Sequence, residues 1–190
     1  MNEQLEKVAA ALKRRDYEVT CVNTPEEAAA LILKAAEGVA SVGWGGSETI
    51  KTLGVREKFA ALGKVIRDHQ TVMDLFLLSA NAVTSDGRIV NIDGTGNRVA
   101  ASIFGPKKVI YVIGRNKIVS GGVDAAIARI HEKACPPNAK RLGKKTPCAL
   151  TGVCTNCDSP ERMCKVTAVF ERRPTGTPTH VILVDAELGY

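Results

Sequence analysis

Residues 107–117, KKVIYVIGRNK, decide the fold that the sequence predicts. Residues 109–113 are all apolar, so they predict a strand that is buried on both faces. Such a strand is typical of a parallel sheet that is covered by helices. Gly114 ends the strand, and Arg115, Asn116 and Lys117 then follow at its carboxyl end. These three polar residues either face a ligand crevice or form a solvated charged turn.

Strands and helices alternate on both sides of this segment. The sequence predicts helices over residues 2–15 and 124–134 and from Thr24, Ser47 and Arg98, and strands over 17–22, 39–42, 64–67, 166–170 and 181–184. Residues 76–84 and 88–92 flank the turn Ser85-Asp86-Gly87 and predict a hairpin. The order predicts a single α/β domain over residues 1–190, with a mainly parallel sheet and helices on both faces. Residues 135–165, rich in Pro, Cys and charge, are interpreted as a loop-like insert in it.

Composition narrows the range of partners. The chain is 45% hydrophobic, which argues against disorder, and no apolar run is long enough to span a bilayer. The N-terminal segment predicts an amphipathic helix rather than a secretory signal, so we expect a cytoplasmic protein.

The charge of the second half of the chain indicates which partners it could bind. Residues 105–173 carry 14 Lys/Arg against 5 Asp/Glu, which favours an anionic ligand or an acidic partner protein. Aromatic residues are not interleaved with these charges, which argues against nucleic acid. The oligomeric state, including a homo-oligomer, stays open.

Four of the six cysteines are concentrated in a short segment. Cys148, Cys154, Cys157 and Cys164 have the spacing C-x5-C-x2-C-x6-C. Four clustered thiolates suit zinc or a 4Fe-4S cluster, and the spacing does not separate the two. The alternative is free or redox-labile thiols in a mobile loop. Cys21 and Cys135 are interpreted as structural.

A glycine-rich turn, residues 43–46, is predicted to join a strand to a helix. Gly45 and Gly46 would let backbone N–H groups approach an anion, and Ser47 and Thr49 would add hydroxyl donors. The alternative is a tight turn in which Ser47 only caps the helix.

A second polar loop follows the predicted hairpin. Asp93 is a candidate general base or ligand-orienting residue, and Arg98 could bind a carboxylate or phosphate bidentately. Gly94, Thr95 and Asn97 complete the loop. The alternative is a self-satisfied polar turn in which Asp93 binds backbone N–H groups and pairs with Arg98.

Together these motifs resemble one known family. The resemblance is carried by the glycine turn 43–49, the segments 79–84, 86–87, 91–100 and 105–110, the Gly114-x-Asn116-Lys117 motif and the final Leu188-Gly189-Tyr190. With these motifs the chain resembles the LUD-domain family, whose members occur among lactate-utilisation proteins. The resemblance implies a fold similar to that of ribose-phosphate isomerases, glucosamine-phosphate deaminases and CoA transferases. It also implies a crevice lined by Gly45, Gly46, Ser47, Asp93, Gly94, Thr95 and Lys117, of which we take Asp93 and Lys117 as candidate catalytic residues.

Two functional hypotheses from different classes follow. The first is an accessory protein of lactate or organic-acid oxidation, with a cysteine-ligated metal or iron–sulfur site, an anion-binding crevice and an iron–sulfur redox partner protein. The second is a phosphosugar or acyl-CoA isomerase or transferase in which the cysteines hold structural zinc. A third, a metal-sensing protein that binds nucleic acid through its basic face, has less support. Fold kinship alone does not establish a reaction.

Overall fold

The computed structural model describes residues 2–190. Over that range the strands are β1 Glu18–Val22, β2 Ser41–Trp44, β3 Val65–Ile66, β4 Leu75–Leu78, β5 Ala82–Thr84, β6 Ile89–Asp93, β7 Lys108–Gly114, β8 Ile118–Val119, β9 Val166–Phe170 and β10 Thr179–Val184. The helices are α1 Glu3–Lys13, α2 Pro25–Ala35, α3 Glu48–Thr52, α4 Val55–Ala61, α5 Asn97–Ile103, α6 Val123–Arg129, α7 Cys135–Arg141 and α8 Pro147–Thr151. None of these helices combines the length and apolarity needed to cross a membrane.

Six strands form an entirely parallel sheet in the order β1-β10-β7-β4-β2-β3. The strand predicted over residues 109–113 is β7, which lies inside the sheet between β10 and β4. Because every ladder is parallel, the carboxyl ends of β2 and β7 lie at the same edge of the sheet. The prediction of an α/β fold with a mainly parallel sheet is confirmed.

Both faces of the parallel sheet are covered, as predicted. Val109, Tyr111 and Ile113 belong to a core cluster that includes α1. Ile110 and Val112 belong to a second cluster, which includes α2, α3 and α4. This alternation explains why residues 109–113 of β7 include no charged position: each face buries its own set of side chains.

A second sheet, in the order β8-β5-β6-β9, packs against the α1 face. The predicted hairpin exists as the antiparallel pair β5–β6, but residues 76–84 are not one strand. The chain leaves the parallel sheet after β4 and enters the second sheet at β5. Asn81 lies between the two strands; its backbone N–H donates to Asn91 Oδ1, and its own Oδ1 accepts from the N–H of Ile92. The side chains of Asn81 and Asn91 therefore stabilise the passage of the chain from the parallel sheet to the second sheet. The spacing of apolar residues does not predict this passage.

The interpretation of residues 135–165 as a loop is wrong over α7 and α8. The chain passes from α6 through a π-helical turn, Ile130–Ala134, directly into α7. Pro136 and Pro137 occupy the first turn of α7, directly after the π-helical turn, and because proline has no N–H it interrupts the helical hydrogen bonds where the helix type changes. Apolar residues of this helical segment also pack on the outer face of the second sheet.

Candidate functional site

A cavity of about 490 Å³, called here the large cavity, opens at the sheet edge where β2 and β7 end. Its wall includes nine of the ten predicted catalytic and ligand-binding residues: Gly46, Ser47, Thr49, Asp93, Gly94, Thr95, Asn97, Arg98 and Lys117. The parallel sheet supplies the glycine turn and Lys117, and β6 of the second sheet supplies Asp93. The structure thus brings together the glycine turn, the polar loop after β6 and the segment that contains Lys117. The polar loop follows a strand of the second sheet, whereas the sequence predicted one mainly parallel sheet.

Gly45 is absent from the cavity wall and lies under Arg98. A Cβ atom built on Gly45 would lie 2.5 Å from Arg98 Cγ and 3.2 Å from Asn97 Nδ2. A Cβ on Gly46 would meet no atom within 4 Å. The two glycines therefore differ in role: Gly45 allows Arg98 to pack closely, whereas Gly46 borders open space.

Asp93 is 3% exposed and organises the loop that follows β6. Its Oδ2 accepts hydrogen bonds from the backbone N–H of Arg98 (3.0 Å) and of Val99 (3.1 Å). Its Oδ1 accepts from Arg98 Nε at 2.6 Å, and Arg98 Nη2 also contacts that oxygen. These contacts match the self-satisfied turn described above, because both carboxylate oxygens already have partners. Asp93 thus holds Arg98 at the cavity wall.

Ser47 and Thr49 differ in what their hydroxyl groups contact. Ser47 Oγ accepts from the N–H of Ile50 at 3.3 Å and so caps α3. Thr49 is buried, and its Oγ1 donates to the carbonyl of Leu188 and accepts from Lys117.

Lys117 is the most deeply buried cation of the site, at 4% exposure. Its Nζ donates to Thr49 Oγ1 and to Ser79 Oγ, each at 2.9 Å. Among residues 2–190 no carboxylate forms an ion pair with it. Burial lowers the pKa of Lys117 to about 7, and the nearby cations Arg129 and Arg98 add to the shift. An amine with such a pKa is substantially neutral at physiological pH.

A second, much smaller cavity of about 20 Å³, called here the cysteine cavity, is lined by five of the six cysteines: Cys135, Cys148, Cys154, Cys157 and Cys164. The four clustered cysteines thus face one space, and Cys135, which we interpreted as structural, joins them. His131 also lines this cavity. All six cysteines are free thiols. As they stand, no three His, Cys, Asp or Glu side chains within residues 2–190 are arranged to hold a metal ion.

Arg162 lines the cysteine cavity and places a cation next to the thiols. Arg162 donates to the carbonyl oxygens of Cys157 (2.7 Å) and Cys164 (2.8 Å), and so fixes the backbone that carries two thiols. The contact with Cys135 lowers the pKa of Cys164, and Arg162 contributes further. The same contact, together with burial, raises the pKa of Cys135. One thiol of this pair is therefore more readily ionised than the other.

The two cavities share a wall. Cys135, Arg162, Met163 and Cys164 line both of them. Gly94 approaches this wall as well, since a Cβ built on it would lie 3.1 Å from the Met163 carbonyl oxygen. The polar loop after β6 and the cysteine segment are therefore neighbours.

Ser79, Arg129 and Cys135 are among the residues of the site that escaped prediction from the sequence. Ser79 lies at the carboxyl end of β4, a position that could have been proposed had the strand break after β4 been recognised. Arg129 donates to the carbonyls of Asn81 and Asn116 from the last turn of α6, and nothing in the sequence distinguishes it from a surface arginine. Cys135, which lies next to Pro136 and Pro137 and outside the cluster at residues 148–164, was interpreted as structural.

Comparison with known proteins agrees with this architecture. A solved structure of a DUF162 family protein from Deinococcus radiodurans has a TM-score of 0.56, 17% sequence identity and 96% coverage of both chains, so it shares the fold. No curated protein sequence matches the chain significantly. The family model of the LUD domain matches residues 5–184. Since that match spans almost the whole chain, the protein belongs to the LUD-domain family, which is associated with lactate utilisation.

Proposed function

We propose that this LUD-domain protein is an accessory protein of lactate or organic-acid oxidation, which binds a small organic-acid anion next to a cysteine-held iron–sulfur centre. The observation that carries the proposal is the shared wall: Cys135 and Cys164 line both the large cavity and the cysteine cavity. A ligand in the large cavity would therefore lie next to the thiols.

The charges of the large cavity support an anionic ligand. Its acidic residues are already engaged: Asp93 with Arg98, Glu48 with Arg141 at 3.3 Å, and Glu161 with the N–H of Lys145. Even without Lys117, whose amine is largely neutral, the cations on its wall outnumber these acids, and they are Arg98, Arg141, Lys144, Arg162 and Lys165. An anion entering the cavity would meet an excess of positive charge in a partly desolvated site, where a charge-assisted hydrogen bond contributes about 1.5–3 kcal/mol.

The donor chemistry of the cysteine cavity suits an iron–sulfur cluster, although the thiols would have to move together to ligate one. Thiolates are the standard protein ligands of such clusters, and five thiols face one space. Cys148, Cys154, Cys157 and Cys164 would hold the cluster, with Cys135 beside them. Arg162 on the cavity wall would offset part of the negative charge that four thiolates would bring. When bound, such a cluster supplies one-electron transfer. The chain's own contribution would be to fix the ligand cysteines through Arg162 and to keep the anion within reach of them.

The test combines metal analysis with ligand binding. Protein purified anaerobically is expected to contain iron and acid-labile sulfide in stoichiometric amounts, and to bind lactate in calorimetry. Stoichiometric zinc without sulfide would instead support the enzyme hypothesis with a structural zinc site. Protein that holds neither metal, or that binds no organic acid, contradicts the proposal.

A further inference from the structure

Lys117 combines burial, a cavity position and the lack of a counterion. It follows β7 in a short 3-10 turn, Arg115–Lys117, and lines the large cavity while only 4% of it is exposed. Buried lysines are ordinarily paired with a carboxylate. Lys117 instead has two hydroxyl partners, Thr49 and Ser79.

The hydroxyl groups are oriented to receive N–H groups from Lys117. Thr49 Oγ1 donates its own hydrogen to the Leu188 carbonyl, and Ser79 Oγ donates to the Ala80 carbonyl. Each oxygen therefore presents a lone pair to Nζ. A neutral amine has two N–H groups, which these two bonds satisfy, and one lone pair, which stays free. An ammonium group would have a third N–H without a partner among residues 2–190, and a buried unsatisfied donor is costly.

The surrounding charges also favour the neutral amine. Two nearby arginines act on Lys117: Arg129 is held by the carbonyls of Asn81 and Asn116, and Arg98 is held by Asp93. Both guanidinium groups stay charged and repel an ammonium, and both contribute to the lowered pKa of Lys117. A desolvated lysine next to other cations is an established arrangement for an amine nucleophile.

Arg98 can in addition orient a substrate. Its Nε and Nη2 atoms are occupied by Asp93 and by the carbonyl of Ile92, whereas Nη1 has no hydrogen-bond partner within residues 2–190. The Nη1 atom is therefore available for a ligand carboxylate. A molecule that offers a carboxylate to Arg98 and a carbonyl carbon to Lys117 is a small oxo acid.

We propose that Lys117 is a nucleophile that condenses with the carbonyl carbon of a small 2-oxo acid bound in the large cavity. The Nζ lone pair forms a bond to that carbon and the carbonyl π electrons move to oxygen, giving a carbinolamine. The C–O bond then breaks, and the oxygen leaves as water with the two hydrogens that Nζ loses. The product is an imine, and no oxidant or reductant is needed. Thr49 and Ser79 orient the amine. This inference deepens the proposed function, because it rests on the same anion-binding cavity.

Reductive trapping tests the imine directly. The purified protein is incubated with pyruvate and sodium cyanoborohydride, and adducts are measured by intact mass and peptide mapping. Wild type is expected to gain one reduced pyruvyl group, located on Lys117. Lys117→Met and Lys117→Arg should show only background labelling, and the matched surface variant Lys34→Met should behave as wild type. Labelling spread over many lysines, or equal labelling of Lys117→Arg, overturns the proposal.

A second measurement uses only the wild-type protein, so it does not depend on the folding of a variant. Lactate has no carbonyl carbon that can condense, and it should reduce the yield of the Lys117 adduct by competing for the cavity. Lactate binding without any adduct would overturn the imine and leave the anion site standing. An adduct on Lys117 without lactate binding or metal would support the imine and contradict the proposed function.

Discussion

The Cys164 sulfur lies 3.2 Å from the Cys135 sulfur, and both residues line the large cavity as well as the cysteine cavity. This contact joins the last cysteine of the clustered motif to the first turn of α7. The cysteine segment therefore contacts α7 at the wall of the large cavity. A metal centre formed by these thiols would couple its own stability to the shape of that cavity.

Replacing single cysteines should distinguish those that bind the metal from those that do not. Cys154→Ser or Cys157→Ser is expected to abolish stoichiometric metal, because a hydroxyl is a poor replacement for a thiolate ligand. Cys21→Ser is the matched control, since Cys21 lies in β1 and does not line the cysteine cavity. Iron, zinc and sulfide would be measured on anaerobically purified protein. Full metal content in both motif variants would show that the site is not there.

The segment that carries the motif should be the first part of the metal-free protein to be cleaved. After α8 ends, residues 152–165 form no helix or strand, and Leu150 and Val153 are 85% and 64% exposed. Such a segment has few apolar contacts and opens at low free-energy cost. Limited proteolysis with mass mapping should find the first cut within residues 143–165, and metal loading should slow it. A first cut in β4 or β7 would contradict this order.

Asp93→Asn should weaken both the fold and the ligand site. The substitution removes the charge that pairs with Arg98, and unpairing a buried ion pair costs about 3 kcal/mol. Arg98 would also lose its anchor, so lactate affinity should fall by about tenfold or more. The control is Asp16→Asn in the exposed pair with Arg172, where a change within about 1 kcal/mol is expected. Chemical denaturation and calorimetry measure the two effects, and equal behaviour of the variants would refute the anchoring role.

The sequence predicted the parallel sheet and most of its elements because β7 and its neighbours have unambiguous apolar patterns. The strand change between β4 and β5 depends on hydrogen bonds between Asn81 and Asn91, two residues that pattern analysis treats as ordinary polar positions. Similarly, Pro136 and Pro137 suggested an interruption of the helix, although the chain uses them to begin α7. The polar segments of the site were found because each follows a strand. The distinct role of Gly45 depends on its distance to Arg98, which only the three-dimensional structure provides.

The two neighbouring glycines offer a matched pair of substitutions. Gly45→Ala would place its Cβ 2.5 Å from Arg98 Cγ, so the arginine must move and the overpacking should cost about 1–3 kcal/mol. Gly46→Ala meets no atom within 4 Å and should fold as wild type. Lactate affinity should therefore decrease in Gly45→Ala through displacement of Arg98. Unfolding curves and calorimetry of the two variants check this, and a Gly46→Ala protein that is the less stable of the two would count against the assignment.

The buried amine of Lys117 should make stability depend on pH in a defined window. Its pKa in the folded protein is about 7, below the ordinary value of 10.5 that applies to the unfolded chain. Between these values the unfolded chain binds more protons than the folded one, so this residue makes stability rise with pH, by at most about 1.4 kcal/mol per pH unit. Below pH 7 both states are protonated, and the burial cost is present in full. Lys117→Met removes the cost, so its stability advantage over wild type should shrink as pH rises from 7 towards 10.

Denaturation curves at several pH values give this difference in stability between variant and wild type, in which the other titrating groups cancel. Lys34→Met, at an exposed position, should give a flat difference. A flat difference for Lys117→Met as well would mean that Lys117 keeps its proton in the folded protein, and the amine would then not be a nucleophile at neutral pH.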